Sequence, residues 1–319
     1  MMRKPWSDFI GKRSESFVRG LVSDARHVLP EELVDMGKYA GKHLQICLAY
    51  AQEESIYDDE NKIITVTPDI YAKTIREQRV NKFGLAYPKD RKFLLHKTLA
   101  DIVIGAANYL YKTYCWQTIL YDGLRTVDGA FALYNFASDE DLAAGLLALP
   151  AKSAHNKGLA VDSMMMDELG REIEMGGHFD HLDMATNMRN YDGNKISEIA
   201  KQNRLIREAA FLRSAFSQGL LIAPLRSEFW DDRLPENRED LWRVLDSAAR
   251  VTGVVPSLEV LENKEKWDYA DFLNNWQKTF AGHEEKLVEK IGCKHPPLTE
   301  KPEFYHGNYH PIYDADLAA

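Results

Sequence analysis

The stretch SAHNKGLAVDSMMM, residues 153–166, constrains the fold more than any other part of this chain. From Leu159 to Met166 the residues are apolar except Asp162 and Ser163, the pattern of a short strand buried in a core. Gly158 provides a bend just before it, so His155 and Asp162, on either side, can be aimed at one point. A neutral imidazole nitrogen and an anionic carboxylate oxygen are both suited to Zn²⁺ at about 2 Å. Two readings of the pair stand open: a metal clamp, or a polar turn running into a strand.

The neighbouring segments alternate in period. Apolar residues recur at three- and four-residue spacing from Phe93 to Tyr114, as an amphipathic helix requires, and WQTILYD at 116–122 reads as a strand. Ser138 followed by DEDLAAGLLAL joins an N-cap to early acids and a helical body, ended by Pro150. A longer helix is expected over 195–218, then a strand at GLLIAP, 219–224. ENREDLWRVLDSAARV and YADFLNNWQKTFAGHEEKLVEKI carry helical spacing with alternating charges, and the proline- and aromatic-rich end is expected either to wrap the body or to be partly mobile. This order implies an α+β fold: a central antiparallel sheet with flanking helices and a helical C-terminal extension.

Charge and cysteine usage narrow the function. With 40 Lys+Arg against 49 Asp+Glu, a net charge of −9, and no basic cluster, the chain is not built to track phosphates, and nucleic acid is not an expected partner. No membrane partner is expected either, because no stretch offers the roughly 18 uncharged apolar residues of a span. The N-terminal MMRKPWSDFIGKRSESFVRG lacks the apolar core of a secretion signal. Cys47, Cys115 and Cys293 are odd in number and scattered, which suits a reducing compartment, so a cytoplasmic protein is expected.

Three further segments bear on His155 and Asp162. YDGLRT at 121–126 places an arginine at a strand end, EMGGHFDHLD at 174–183 sets Asp180 beside a glycine turn, and LRSEFWDD at 225–232 supplies Glu228 and Asp231 around Trp230. In this order the segments resemble the zinc D-alanyl-D-alanine dipeptidases of the vancomycin-resistance type, within the family that includes lysostaphin-like peptidases and hedgehog domains. The pattern S-x-H-x-x-G-x-A-x-D is filled by Ser153, His155, Gly158, Ala160 and Asp162. The arginine motif is matched by Tyr121, Asp122 and Arg125, with Thr126 where the family has proline, and Met175, Gly176, Phe179 and Asp180 match a third motif. The resemblance covers about 44–232, read as a metallopeptidase-like domain between an N-terminal helical extension at 1–43 and a C-terminal helical extension at 233–319.

The resemblance implies His155 and Asp162 as metal ligands, Glu228 as general base and Arg125 as the cation for a developing oxyanion. It implies Asp180 as acceptor for a substrate amino group, and Ser153 and Tyr121 as substrate-site residues. The family's last motif, E-x-W-H, ends in a ligand histidine where this chain has Asp231. Three completions are open: Asp231 replaces the histidine, which the unbroken E-x-W spacing favours; one of His178, His181, His306 or His310 completes the set; or the metal is lost. An oxygen-rich set accommodates Mn²⁺ or other harder ions as well as one Zn²⁺. The implied function is hydrolysis of D-Ala-D-Ala or a related small dipeptide by metal-activated water. The alternative is a degenerate member that binds a cell-wall peptide or a protein partner without cutting it.

Overall fold

The computed structural model describes residues 30–51, 55–57, 63–65, 86, 90–180, 196–251 and 311–317, less scattered positions within 138–146 and 217–249. The helix expected at 269–291, and most of that expected after Ser138, lie outside the described residues. Strands β1 (Leu33–Asp35) and β2 (Leu44–Ile46) come first, then the short antiparallel pair β3 (Ser55–Tyr57) and β4 (Ile63–Thr65). There follow β5 (Leu94–His96), helix α1 (Lys97–Tyr114), β6 (Gln117–Asp122), helix α2 (Val127–Phe136) and β7 (Ala160–Met166). Helix α3 (Glu198–Phe216), β8 (Ala223–Pro224) and β9 (Asp231–Arg233) complete the core.

The fold is α+β, around a five-stranded sheet of order β2-β6-β7-β9-β8. Three of its pairings are antiparallel, and β2 runs parallel to β6. A parallel pair cannot be closed by a hairpin, so a crossover is required, and α1 lies within it, packed on both strands. Every residue of β7 is buried, as its near-continuous apolar sequence demands of a central strand.

Helix α1 buries Leu99, Ala100, Ile102, Val103, Ala106, Ala107 and Leu110, a stripe at helical spacing. Each of the larger side chains contributes about 1.5–3 kcal/mol by leaving water. The helix starts later than the periodicity of 93–114 predicts. Leu94–His96 are drawn into β5 by pairing with β1, a partner sixty residues upstream that no local window contains. His96 then caps the helix, its Nδ1 accepting from Thr98 N, and Cys115 ends it in the left-handed region at φ 56°. Helices α1 and α3 pack closely because Gly105 has no side chain; a Cβ there would lie 2.1 Å from Ser214 Oγ.

The strand expected at 219–224 shrinks to Ala223–Pro224. Leu220 N is committed to Ala215 O at the end of α3, and Pro224 has no N–H with which to extend a ladder. At the other terminus, Ile312 joins two loops: its carbonyl accepts from Val127 N and its N–H donates to Asn156 O, both at 2.8 Å. The C-terminal residues that are described thus do lie across the body. Among the described residues no helix is long and apolar enough to cross a membrane.

Candidate metal centre

Strand alternation and register bring three aspartates into one row. Asp162 of β7 is directly opposite Asp122 of β6 on one side and Asp231 of β9 on the other. The first pairing depends on a bulge. The ladder runs Ile119↔Met164 and Leu120↔Ser163, then skips Tyr121, so that Asp122 and not Tyr121 meets Asp162. Like charges directly opposite across a sheet repel, and all three carboxylates are buried, so this row requires compensating cations.

Two guanidiniums supply part of the need. Arg125, in the loop after β6, holds Asp122 Oδ2 through Nε at 2.7 Å and Nη2 at 2.6 Å, and its Nη2 lies 3.8 Å from Asp162 Oδ2. Arg233, two residues along β9 from Asp231 and so on the same strand face, clasps both oxygens of that carboxylate. Asp162 is left in the middle, and its Oδ1 is buried with no hydrogen-bond partner. Burial, then the neighbouring charges of Asp231, Asp122 and Glu228, push its carboxyl well above the ordinary carboxylate range.

His155 faces that gap. It sits on a 3₁₀ turn, Ala154–Lys157, whose geometry is set by its own residues: Ser153 Oγ accepts from His155 N, Ser153 N donates to Asn156 Oδ1, and Gly158 closes the turn at φ +70°. A Cβ on Gly158 would lie 3.1 Å from His96 N, so the glycine is required both by its conformation and by this approach. The turn is stapled to the loop after β6 by Arg125 N to His155 O at 3.1 Å and Asn156 Nδ2 to Arg125 O at 2.7 Å. His155 Nδ1 is 2.9 Å from Gly123 O, and since a carbonyl only accepts, Nδ1 carries the proton. Nε2 then lies 3.6 Å from Asp162 Oδ1 and 3.5 Å from Asp231 Oδ2, and its lone pair becomes available to a metal when the ring is neutral. Two ligands each about 2.1 Å from a tetrahedral ion lie about 3.4 Å apart, so each of these two separations matches a pair of ligands on a small divalent cation.

Among the described residues donor atoms fall into two groups of three, each within 4.8 Å: Asp122, His155 and Asp162, and Asp162, Glu228 and Asp231; the predicted set of His155, Asp162 and Asp231 draws on both and is itself neither. Glu228 is half-buried in the turn that precedes β9, and Asp231 N donates to its carbonyl. Burial, then the charges of Asp231 and Asp180, raise its carboxyl to about 8, against the pull of Arg233 and Arg125. Asp231 responds oppositely: burial would raise it, but Arg233 overrides this and, with His155, holds it below the ordinary range. A proton held on Glu228 at neutral pH is expected to leave when a divalent cation enters beside it. Metal affinity is therefore expected to rise with pH up to about 8, with protons released on binding. Titration calorimetry in buffers of different ionisation enthalpy reads this directly, and a heat independent of buffer at pH 7 would count against it.

The remaining sequence candidates surround this cluster. Asp180, at φ 58°, accepts from Tyr50 Oη at 2.8 Å, and Arg125 lies over the Tyr50 ring, 5.0 Å from its centroid. Tyr121, thrown out of register by the bulge, is fully buried with its ring stacked on Phe179 at 4.6 Å. Ser153 uses its hydroxyl to cap the His155 turn. His178 belongs to neither donor group and pairs with Glu172, while His181, His306 and His310 lie outside the described residues. Behind the sheet, Arg207 of α3 ties Ser163 Oγ, Trp230 O and Asp232 together, bracing β7 against β9 from the opposite face. Asp122 as a possible donor, Tyr50, Arg207 and Arg233 were not evident from sequence, because each acquires its partner only through strand register or distant packing. The D-D-R triplet itself was the one local signal for Arg233.

No family model matches this chain. It is 22% identical over 174 residues to a D-alanyl-D-alanine dipeptidase of Escherichia coli (strain K12), an alignment that covers 54% of this chain and 83% of the relative. At that identity the relation is a distant one. Together with the buried Asp and His cluster, it points to metal-dependent peptidase chemistry.

Proposed function

We propose that this chain is a metal-dependent dipeptidase acting on D-Ala-D-Ala or a closely related small dipeptide, with one Zn²⁺ held by His155, Asp162 and Asp231. The observation that carries the reading is the buried Asp162 Oδ1, without a hydrogen-bond partner and 3.6 Å from His155 Nε2, in a row of three carboxylates that Arg125 and Arg233 flank. The distant dipeptidase relative supports the substrate class.

A divalent cation in this position supplies polarisation of the scissile carbonyl and acidification of water. Glu228, beside two of the ligands, takes the proton from the attacking water and hands it to the leaving amine. Arg125 presents its guanidinium to the negative charge that develops on the carbonyl oxygen, held in place by Asp122. Asp180, positioned by Tyr50, receives the substrate's free ammonium, which selects substrates with an open amino end. Ser153 and Tyr121 contribute by holding the His155 turn and the aromatic layer beneath the site. The net charge of −9 argues against nucleic acid as a partner.

Purified protein is expected to release D-alanine from D-Ala-D-Ala, to lose that activity on chelation and to regain it with Zn²⁺. A folded, metal-loaded protein that cleaves no small dipeptide of either stereochemistry would remove the dipeptidase assignment.

A further inference from the structure

Asp231 stands where the resembling family has an imidazole, and on its own it adds a negative charge to the ligand set. The structure answers that charge locally. Arg233 Nε donates to Asp231 Oδ1 at 3.2 Å and Nη2 donates to Oδ2, a two-pronged clasp from a side chain that is itself largely buried. Asp232, between them, points to the other strand face and is taken by Arg207, so it does not compete for Arg233. A carboxylate oxygen has two lone pairs. With one engaged by Arg233, Oδ2 still has a second, and it is this oxygen that lies 3.5 Å from His155 Nε2.

We propose that Arg233 is a built-in counter-ion that makes Asp231 the charge equivalent of histidine at the metal centre and fixes the orientation of its shorter side chain. Two carboxylates and one guanidinium leave a single net negative charge, the same as two imidazoles and one carboxylate. The inference rests on the metal reading above and concerns this chain's own way of satisfying it. It also explains why an aspartate is tolerated here: without Arg233 the centre would be formally neutral and a weaker Lewis acid.

A double-mutant cycle on Zn²⁺ affinity tests it, read by competition with a chromogenic chelator at fixed pH and salt and checked by the Zn²⁺-induced rise in Tm. Asp231→His alone leaves a guanidinium pressed against the ion without its partner, and the added Arg233→Met removes that charge. The double variant is therefore expected to bind Zn²⁺ at least about tenfold more tightly than Asp231→His, whereas Arg233→Met in the parent chain gives no comparable gain. The comparison of Asp231→His with the double variant stands even where Arg233→Met alone does not fold, since neither protein carries an uncompensated carboxylate at that position. Equal effects of Arg233→Met in both backgrounds, or equal affinities for Asp231→His and the double variant, overturn the counter-ion role while leaving the metal reading intact. A folded parent chain that takes up no Zn²⁺ overturns both.

Discussion

Glu228→Gln hydrolyses D-Ala-D-Ala about 10²–10⁴-fold more slowly than the parent chain while retaining its divalent metal: this is the expected result if Glu228 is the general base. The loss corresponds to about 3–5 kcal/mol of barrier. Glutamine preserves shape and hydrogen-bonding reach but cannot accept the proton of the attacking water. The metal measurement is essential because Glu228 shares a donor group with Asp162 and Asp231. If metal and activity disappear together, Glu228 is a ligand; if turnover is undiminished, it is not the base. A further readout follows from its ionisation in the metal-free protein. Burial and the charges of Asp231 and Asp180 raise Glu228 from 4.5 to about 8. A carboxyl raised on folding favours the native state below its unfolded pKa, and that contribution is lost as pH climbs through the folded value. Metal-free Glu228→Gln is thus expected to exceed the parent in Tm at pH 9, with the difference fading toward pH 4.

His155→Ala is expected to reduce divalent-metal affinity by more than about 10²-fold, beyond the 10–100-fold typical of losing an outer-shell partner, and to abolish peptide hydrolysis. His155 is the single imidazole in the proposed set, and its Nε2 is the atom within 3.6 Å of both Asp162 and Asp231. The fold should survive the change. The turn that carries the ring is held by Ser153, Asn156 and Gly158 and by main-chain bonds to Arg125, none of which uses the imidazole. Metal content by mass spectrometry and far-UV circular dichroism on the same sample separate the two effects. Unchanged metal content in a folded variant would move the ion to the all-carboxylate group of Asp162, Glu228 and Asp231, away from His155.

Local structure near His155 was readable because it is local. Ser153, Asn156 and Gly158 settle a 3₁₀ turn within six residues, and the apolar run after it makes a buried strand whatever it pairs with. Helix α1 was legible from its apolar stripe, yet its start was not, since β5 exists only through β1. Tyr121 and Asp122 were read as neighbours in one motif, but the bulge sends the tyrosine to the aromatic layer and the aspartate to the row of acids. No single-strand pattern reveals a bulge, because it is a mismatch between two strands.

By itself the sequence determined which donors were at hand, that His155 and Asp162 flank a bend, and that a carboxylate would be buried in a central strand. Tertiary structure alone decided which carboxylate faces which, and which arginine answers each: Arg125 for Asp122, Arg207 for Asp232 and Arg233 for Asp231. The reason is the two-residue period of a strand. It tells which side chains share a face, but their neighbours across the sheet are set by register, and register is chosen by the packing of the whole core.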